Sequence, residues 1–201
     1  MTKIIVYGTL KKGGRFSSYL RGQKYIQPLK VVGFKMYDSG YGFPFIVKGG
    51  ETDIIYGELY EVDDKVLKVL DRLESVDSGL YSRLDIQDDF PTIKEPTYIY
   101  VSKLSHFDSE SVEIPYGYWQ TTKKYSKLMR VKIHDKEYEN IAQKIVFDMR
   151  FFDGDRTPTN ESYMKMVEKR LHLPINTDVE EIFLTDLIID GLVEELTEKV
   201  V

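Results

Sequence analysis

Hydrophobic positions follow two different rhythms along the chain. Over residues 1 to about 119 they fall in short runs or alternate with polar residues, which is the pattern of strands. Ile4-Ile5-Val6 opens the series, and residues 27–36, 45–48, 53–62, 81–87 and 97–101 read the same way. Within 53–62, Ile55, Gly57, Leu59 and Glu61 face one side and Ile54, Tyr56, Glu58, Tyr60 and Val62 the other. Gly57 inside that strand predicts a bulge or a close approach by another group. Residues 16–20 can form a single helical turn, and one longer helix interrupts the strands. Asp63 caps it, Val66, Leu67, Leu70 and Leu73 form its apolar face, and it runs to about Glu74 or Ser75.

From Gln120 the rhythm changes. Lys123, Lys124 and Lys127 read as a polar connector, and helical spacing follows. Tyr138, Ile141, Ile145 and Met149 lie on one stripe of a predicted helix over 137–151. A second helix is predicted over 161–171, after Thr157-Pro158-Thr159-Asn160. A third is predicted over 178–196, where Thr177-Asp178-Val179-Glu180 fits a capping box. The organisation expected is therefore a strand-rich domain over 1–119 and a helical extension over 120–201. No internal repeat or low-complexity stretch is present.

Composition narrows the classes. At 201 residues, 42% hydrophobic and 30% charged, the chain can bury a real core. A net charge of -5 argues against nonspecific nucleic-acid binding. The only basic cluster that would suggest it, Lys123, Lys124, Lys127, Arg130 and Lys132, lacks interleaved stacking aromatics. The absence of cysteine excludes disulfides, thiolate metal sites and cysteine nucleophiles. No apolar run is long enough to span a bilayer, and the start shows no signal-peptide pattern. Cytoplasmic location without a membrane partner is the expectation. Fifteen tyrosines against one tryptophan is a high count, and many fall in strand-like segments.

Two places carry candidate chemistry. The first is Tyr7-Gly8-Thr9-Leu10-Lys11-Lys12-Gly13-Gly14, where a buried strand breaks into a glycine-containing loop. Glycine lets a ligand approach the main chain, whose N–H groups can then hold it. An ordinary surface turn would read the same way, and neither phosphate-loop spacing is present. The second is Glu74, one place after the core residue Leu73. A carboxylate at a helix C-terminus meets the negative end of the dipole, and burial would add to that; both raise its pKa. Such a group can act as general base and general acid near neutrality. A solvated glutamate is the plainer reading. Asp71 is expected to face solvent and Asp77 to form a turn. His106, His134 and His172 are far apart and form no ligand pair. Asp153-Gly154-Asp155-Arg156-Thr157-Pro158-Thr159 is calcium-loop-like, but Pro158 and Met164 stand where that loop needs its glycine and its glutamate. No metal site is expected.

Four segments in order, Val6 to Gly13, Tyr37-Asp38 to Phe43-Pro44, Gly57 to Val62, and Leu70-Asp71-Arg72-Leu73-Glu74 with Gly79-Leu80-Tyr81-Ser82-Arg83, resemble the gamma-glutamylcyclotransferase-like (AIG2-like) family. The resemblance covers residues 1 to about 119 and none of 120–201. It implies an α+β fold built on a small mixed β-barrel with a pocket at one end. It also implies cyclisation of a small gamma-glutamyl substrate to 5-oxoproline, with release of an amine or amino acid. Glu74 falls at the family's general acid/base. Tyr7, Gly8, Thr9 and Leu10 fall at its substrate loop, and Tyr81 is expected to line the pocket. The reaction is intramolecular, so no cofactor is called for. The alternative is a non-catalytic small-molecule binding or interaction protein on the same fold. The apolar stripes of the extension also allow it to pack on the barrel, cover the pocket or form a homodimer.

Overall fold

The computed structural model describes residues 1–87, 95–103, 105, 111–119, 128–152, 159–177 and 179–196. The chain divides into two units, Met1–Thr121 and Thr122–Val201. In the first, the elements run β1 (Thr2–Val6), β2 (Lys24–Val32), β3 (Phe34–Asp38), β4 (Pro44–Lys48), β5 (Ile54–Val62), α1 (Asp64–Leu73), β6 (Ser82–Asp85), β7 (Thr97–Val101) and β8 (Val112–Glu113). Five of the strands form a sheet in the order β2-β5-β1-β7-β6, and three form a second sheet, β4-β3-β8.

β1 occupies the middle of the larger sheet. It pairs antiparallel with β5, Ile4 opposite Tyr60, and parallel with β7, Ile5 opposite Ile99. A central strand must be apolar on both faces. Ile4 and Val6 enter one cluster with Phe45, Tyr60 and Leu70, while Ile5 and Tyr7 enter the other with Met36, Ile55 and Leu59. The alternation read from 53–62 is present in the same sense, with Ile55 and Leu59 in one cluster and Tyr60 and Val62 in the other. Helix α1 covers the first cluster with Leu70, Val66, Leu67 and Leu73. Its start is fixed by Asp63, whose carboxylate accepts the Lys65 and Val66 N–H groups at 2.8 Å each.

Two expectations for this unit change, and one of the two alternatives left open at Gly57 is decided. The strand over 27–36 is two strands in different sheets, because Gly33 adopts a φ of 90° and turns the chain between them. Gly57 makes a close approach, to Ile5, while the register shift of β2 against β5 lies between Tyr25 and Gln27. The barrel is not closed. β2 and β6 stand at opposite edges of the larger sheet, and no pairing among the described residues joins them.

The second unit is not helical throughout. β9 (Leu128–Ile133) and β10 (Lys136–Ile141) form a hairpin, and β11 (Glu194–Glu195) pairs on the other side of β9. Helices α2 (Ala142–Phe152), α3 (Asn160–Leu171) and α4 (Glu180–Ile189) supply the rest. The helix expected over 137–151 is therefore a strand followed by a helix. His134 takes a φ of 54° in the turn, and Lys136 to Ile141 then pair back along β9. The expected capping box does not form. Val179 is the N-cap, and the Asn176 side chain accepts its N–H at 3.2 Å. Helix α4 also ends earlier than expected, because Gly191 adopts a φ of 73° before β11. The residues Ile182 to Leu187 are all buried, so this helix lies inside the unit's core with Ile145, Val146 and Tyr163. The Lys123–Lys127 connector, the calcium-like loop from 153 to 158, His106 and Asp178 lie outside the described residues.

A Cβ at Gly57 would stand 2.7 Å from Ile5 Cγ2 and 3.1 Å from the Val6 carbonyl oxygen. Gly57→Ala is therefore expected to cost about 1–3 kcal/mol through overpacking, seen as a lowered urea midpoint with unchanged slope.

Candidate functional site

The loop that follows β1 is held in shape by its own backbone. Lys11 N–H donates to Gly8 O at 3.1 Å, Gly14 N–H to Lys11 O at 2.8 Å, and Phe16 N–H to Thr9 O at 2.9 Å. A side-chain tie comes from β5, where the buried Glu58 carboxylate accepts the Lys12 N–H at 2.8 Å and the Tyr60 hydroxyl at 3.1 Å. Two glycines are required by space. A Cβ on Gly8 would stand 2.8 Å from Pro44 Cγ, and one on Gly14 would meet the carbonyl oxygens of Thr9 and Lys11. These bonds occupy the carbonyls of Gly8 and Thr9. No partner for the N–H groups of Gly8, Thr9 and Leu10 is found among the described residues. Gly8 and Leu10 are buried, and buried N–H groups without partners are costly unless a ligand takes them up.

At the other wall, helix α1 stops at Glu74. Its N–H still donates to Leu70 O at 2.9 Å, and Ser75 then enters the left-handed region with φ 52°. The turn behind it is closed by Ser78 and Leu80 N–H groups donating to Ser75 O, both at 3.2 Å. Glu74 is thus the last residue the helix holds, and its side chain lines a cavity of about 400 Å³ shared with Tyr7, Gly8, Thr9, Leu10 and Tyr81. All six residues singled out in the sequence lie around this one cavity. The remaining wall is mostly apolar or aromatic, including Phe16, Phe43, Pro44, Leu73 and Leu80.

Burial pushes the Glu74 carboxyl up to about 7. The phenols beside it are held protonated. Burial raises Tyr81 first, and Glu74 adds to it; burial and then Tyr81 and Glu74 raise Tyr7. The Tyr7 hydroxyl donates to Tyr100 O at 2.9 Å, so it ties the end of β1 to β7 while its ring lines the cavity. Tyr100 is raised by burial and by Asp71, to which its hydroxyl donates at 2.8 Å. Asp71 also pairs with Arg83 at 2.6 Å. It is not turned out to solvent as expected. It binds α1 to β6 and β7 one turn before Glu74.

Sequence reasoning did not mark Arg15, Tyr41, Phe43 or Tyr100 as site residues, yet all four line the cavity. Arg15 and Tyr41 are its exposed members, while Tyr7, Tyr81 and Tyr100 are buried. The nearness of Tyr41, Phe43 and Pro44 to the loop is not written in their spacing. Among the described residues no group of three or more His, Cys, Asp or Glu could hold a metal ion, and no helix is long and apolar enough to cross a membrane. What the arrangement can do is move a proton near neutral pH beside a row of N–H donors able to hold a negatively charged oxygen.

The family model described as gamma-glutamyl cyclotransferase, AIG2-like, matches residues 4–121, and the chain belongs to this family. It is similar to the gamma-L-glutamyl-butirosin B gamma-glutamyl cyclotransferase of Niallia circulans, 28% identical over 92 residues, or 43% of this chain and 58% of that protein. The chain thus spans less than two thirds of that relative's length. A Vibrio cholerae serotype O1 protein provisionally named a gamma-glutamylcyclotransferase is 32% identical over 104 residues, covering 51% of this chain and 84% of that one. Among solved structures, an uncharacterised protein from Pyrococcus horikoshii aligns with a TM-score of 0.47 and 24% identity, over 59% of this chain and 89% of that one.

A carboxyl raised to about 7 makes folding more favourable where it is protonated. Between the unfolded value near 4.3 and about 7, the unfolded chain releases this proton and the folded one keeps it, so stability falls as pH rises. Glu74→Gln is therefore expected to unfold at a higher urea concentration than the parent at pH 8. The gap should vanish at pH 4.

Proposed function

We propose that this protein is a cyclotransferase for small gamma-glutamyl compounds, with Glu74 as its general acid/base. The free α-amine of the substrate attacks its own γ-carbonyl carbon. A new C–N bond closes the five-membered ring of 5-oxoproline, and the original amide C–N bond breaks. Glu74 takes in turn the two protons that the attacking nitrogen loses and passes both to the departing nitrogen, which leaves as an ammonium ion, so the carboxyl ends as it began. The N–H groups of Gly8, Thr9 and Leu10 hold the oxygen that gains charge as the carbonyl becomes tetrahedral. Tyr7 contributes its ring and the anchorage of the loop, and Tyr81 closes the pocket wall.

The observation that carries this reading is the pairing, in one cavity of about 400 Å³, of a carboxyl with a pKa of about 7 and three N–H donors. Membership of the gamma-glutamyl cyclotransferase, AIG2-like family supports it, and so does the activity named for the Niallia circulans relative. Nucleophile and electrophile belong to one molecule, so holding the substrate in a bent conformation supplies several kcal/mol, on the order of 7–11 at best.

Release of 5-oxoproline from gamma-glutamyl amino acids, glutathione, gamma-glutamyl-ε-lysine and a gamma-glutamyl amine is the test. Glu74→Gln should lower kcat/KM by about 10²–10⁴-fold. In the parent, kcat/KM should rise with pH through about 7 as the base loses its proton. Full activity in Glu74→Gln would overturn the assignment. Binding of these compounds without release would make the pocket a receptor.

A further inference from the structure

We propose that Arg15 sets the leaving-group selectivity of this pocket: its guanidinium receives a carboxylate on the departing amine, so the amine released is an α-amino acid. The proposal rests on the cyclotransferase reading and adds a substrate class to it.

Among the described residues that line the cavity, two carry charged side chains, Glu74 and Arg15. They lie at different depths. Glu74 is partly buried beside the buried phenols, whereas Arg15 is exposed, as is Tyr41 at 66%. Arg15 and Tyr41 therefore mark the mouth. No carboxylate pairs with Arg15 among the described residues, and its guanidinium carbon lies 5.0 Å from the Phe16 ring centre. That ring can steady the side chain while leaving the planar N–H fork available, and a guanidinium fork matches a carboxylate better than it matches a neutral group.

The substrate's own polarity sets the direction. Its α-ammonium must reach Glu74, and the scissile carbonyl must reach the N–H groups of the loop. Whatever lies beyond the scissile nitrogen is left at the mouth. In a gamma-glutamyl amino acid, the atom next to that nitrogen carries a carboxylate, which comes level with the Arg15 guanidinium. A cationic or neutral amine would leave the guanidinium repelled or unused. The remaining substituent meets Tyr41 and Phe43, whose rings stack with centres 6.4 Å apart, so an apolar side chain suits the mouth.

Gamma-glutamyl-phenylalanine and gamma-glutamyl-phenethylamine differ only in the leaving-group carboxylate. Release of 5-oxoproline from both would be measured with the parent, Arg15→Ala and Arg15→Lys. The parent is expected to prefer the first by up to about fivefold in kcat/KM, a modest figure because the contact is exposed. Arg15→Ala should abolish the preference by slowing the phenylalanine compound while leaving the phenethylamine compound unchanged. Arg15→Lys should fall between them. Equal loss on both compounds would place Arg15 against the glutamyl carboxylate and overturn the proposal. So would a preference that survives Arg15→Ala.

Failure to release 5-oxoproline from either compound would count against the cyclotransferase reading instead. Calorimetric titration of the same pair into the parent and Arg15→Ala then reads Arg15 without turnover. A carboxylate preference in Kd that disappears with the guanidinium supports the proposal. Equal binding of the two compounds, or no binding of either, overturns it.

Discussion

The pocket depends on the burial of β1 on both faces. A strand with hydrogen-bonded neighbours on each side and apolar clusters above and below cannot slip by one residue without turning every side chain to the wrong cluster. Its end is therefore a fixed point, and Gly8 arrives against Pro44 because Ile4, Ile5 and Val6 have no alternative seating. The same cluster that takes Ile4 and Val6 also takes Leu70 and Leu73 of α1. The loop and the carboxyl thus hang from one piece of core, although about sixty residues of chain lie between them.

Two carboxyls on one helix, three residues apart, meet opposite surroundings. Asp71 has a guanidinium and a phenol to hold it, and it serves as a brace between α1, β6 and β7. Glu74 looks into an apolar cavity, and burial lifts its pKa. The neighbouring phenols are lifted further, so proton exchange near neutrality falls to the single carboxyl. Environment, not residue type, separates the roles of acids in one site.

Much of the first unit was legible because its signals are local. The alternation in 53–62, the Asp63 cap and the Val66 to Leu73 face each follow from neighbouring residues. The six residues that border the cavity were singled out for a different reason, since loop and helix end carry recognisable short motifs. What could not be read was nonlocal. Nothing around Asp71 announces Arg83, and nothing in Thr97 to Val101 says that Tyr100 rather than Tyr98 borders the cavity. The second unit misled for a physical reason. Tyr138, Ile141, Ile145 and Met149 keep helical spacing across what is in fact a strand and then a helix, because a short stretch of apolar residues can satisfy both periods. Only pairing with β9 decides between them.

An open sheet has a liability that a closed barrel lacks. Among the described residues β2 lies at the rim of the larger sheet, beside β5 on one side only, and an unpaired strand edge invites another chain to add to it. Pro28 interrupts that edge with a residue that has no N–H to offer. The register shift between Tyr25 and Gln27 bends the strand as well. Together these features discourage another chain from adding to that edge.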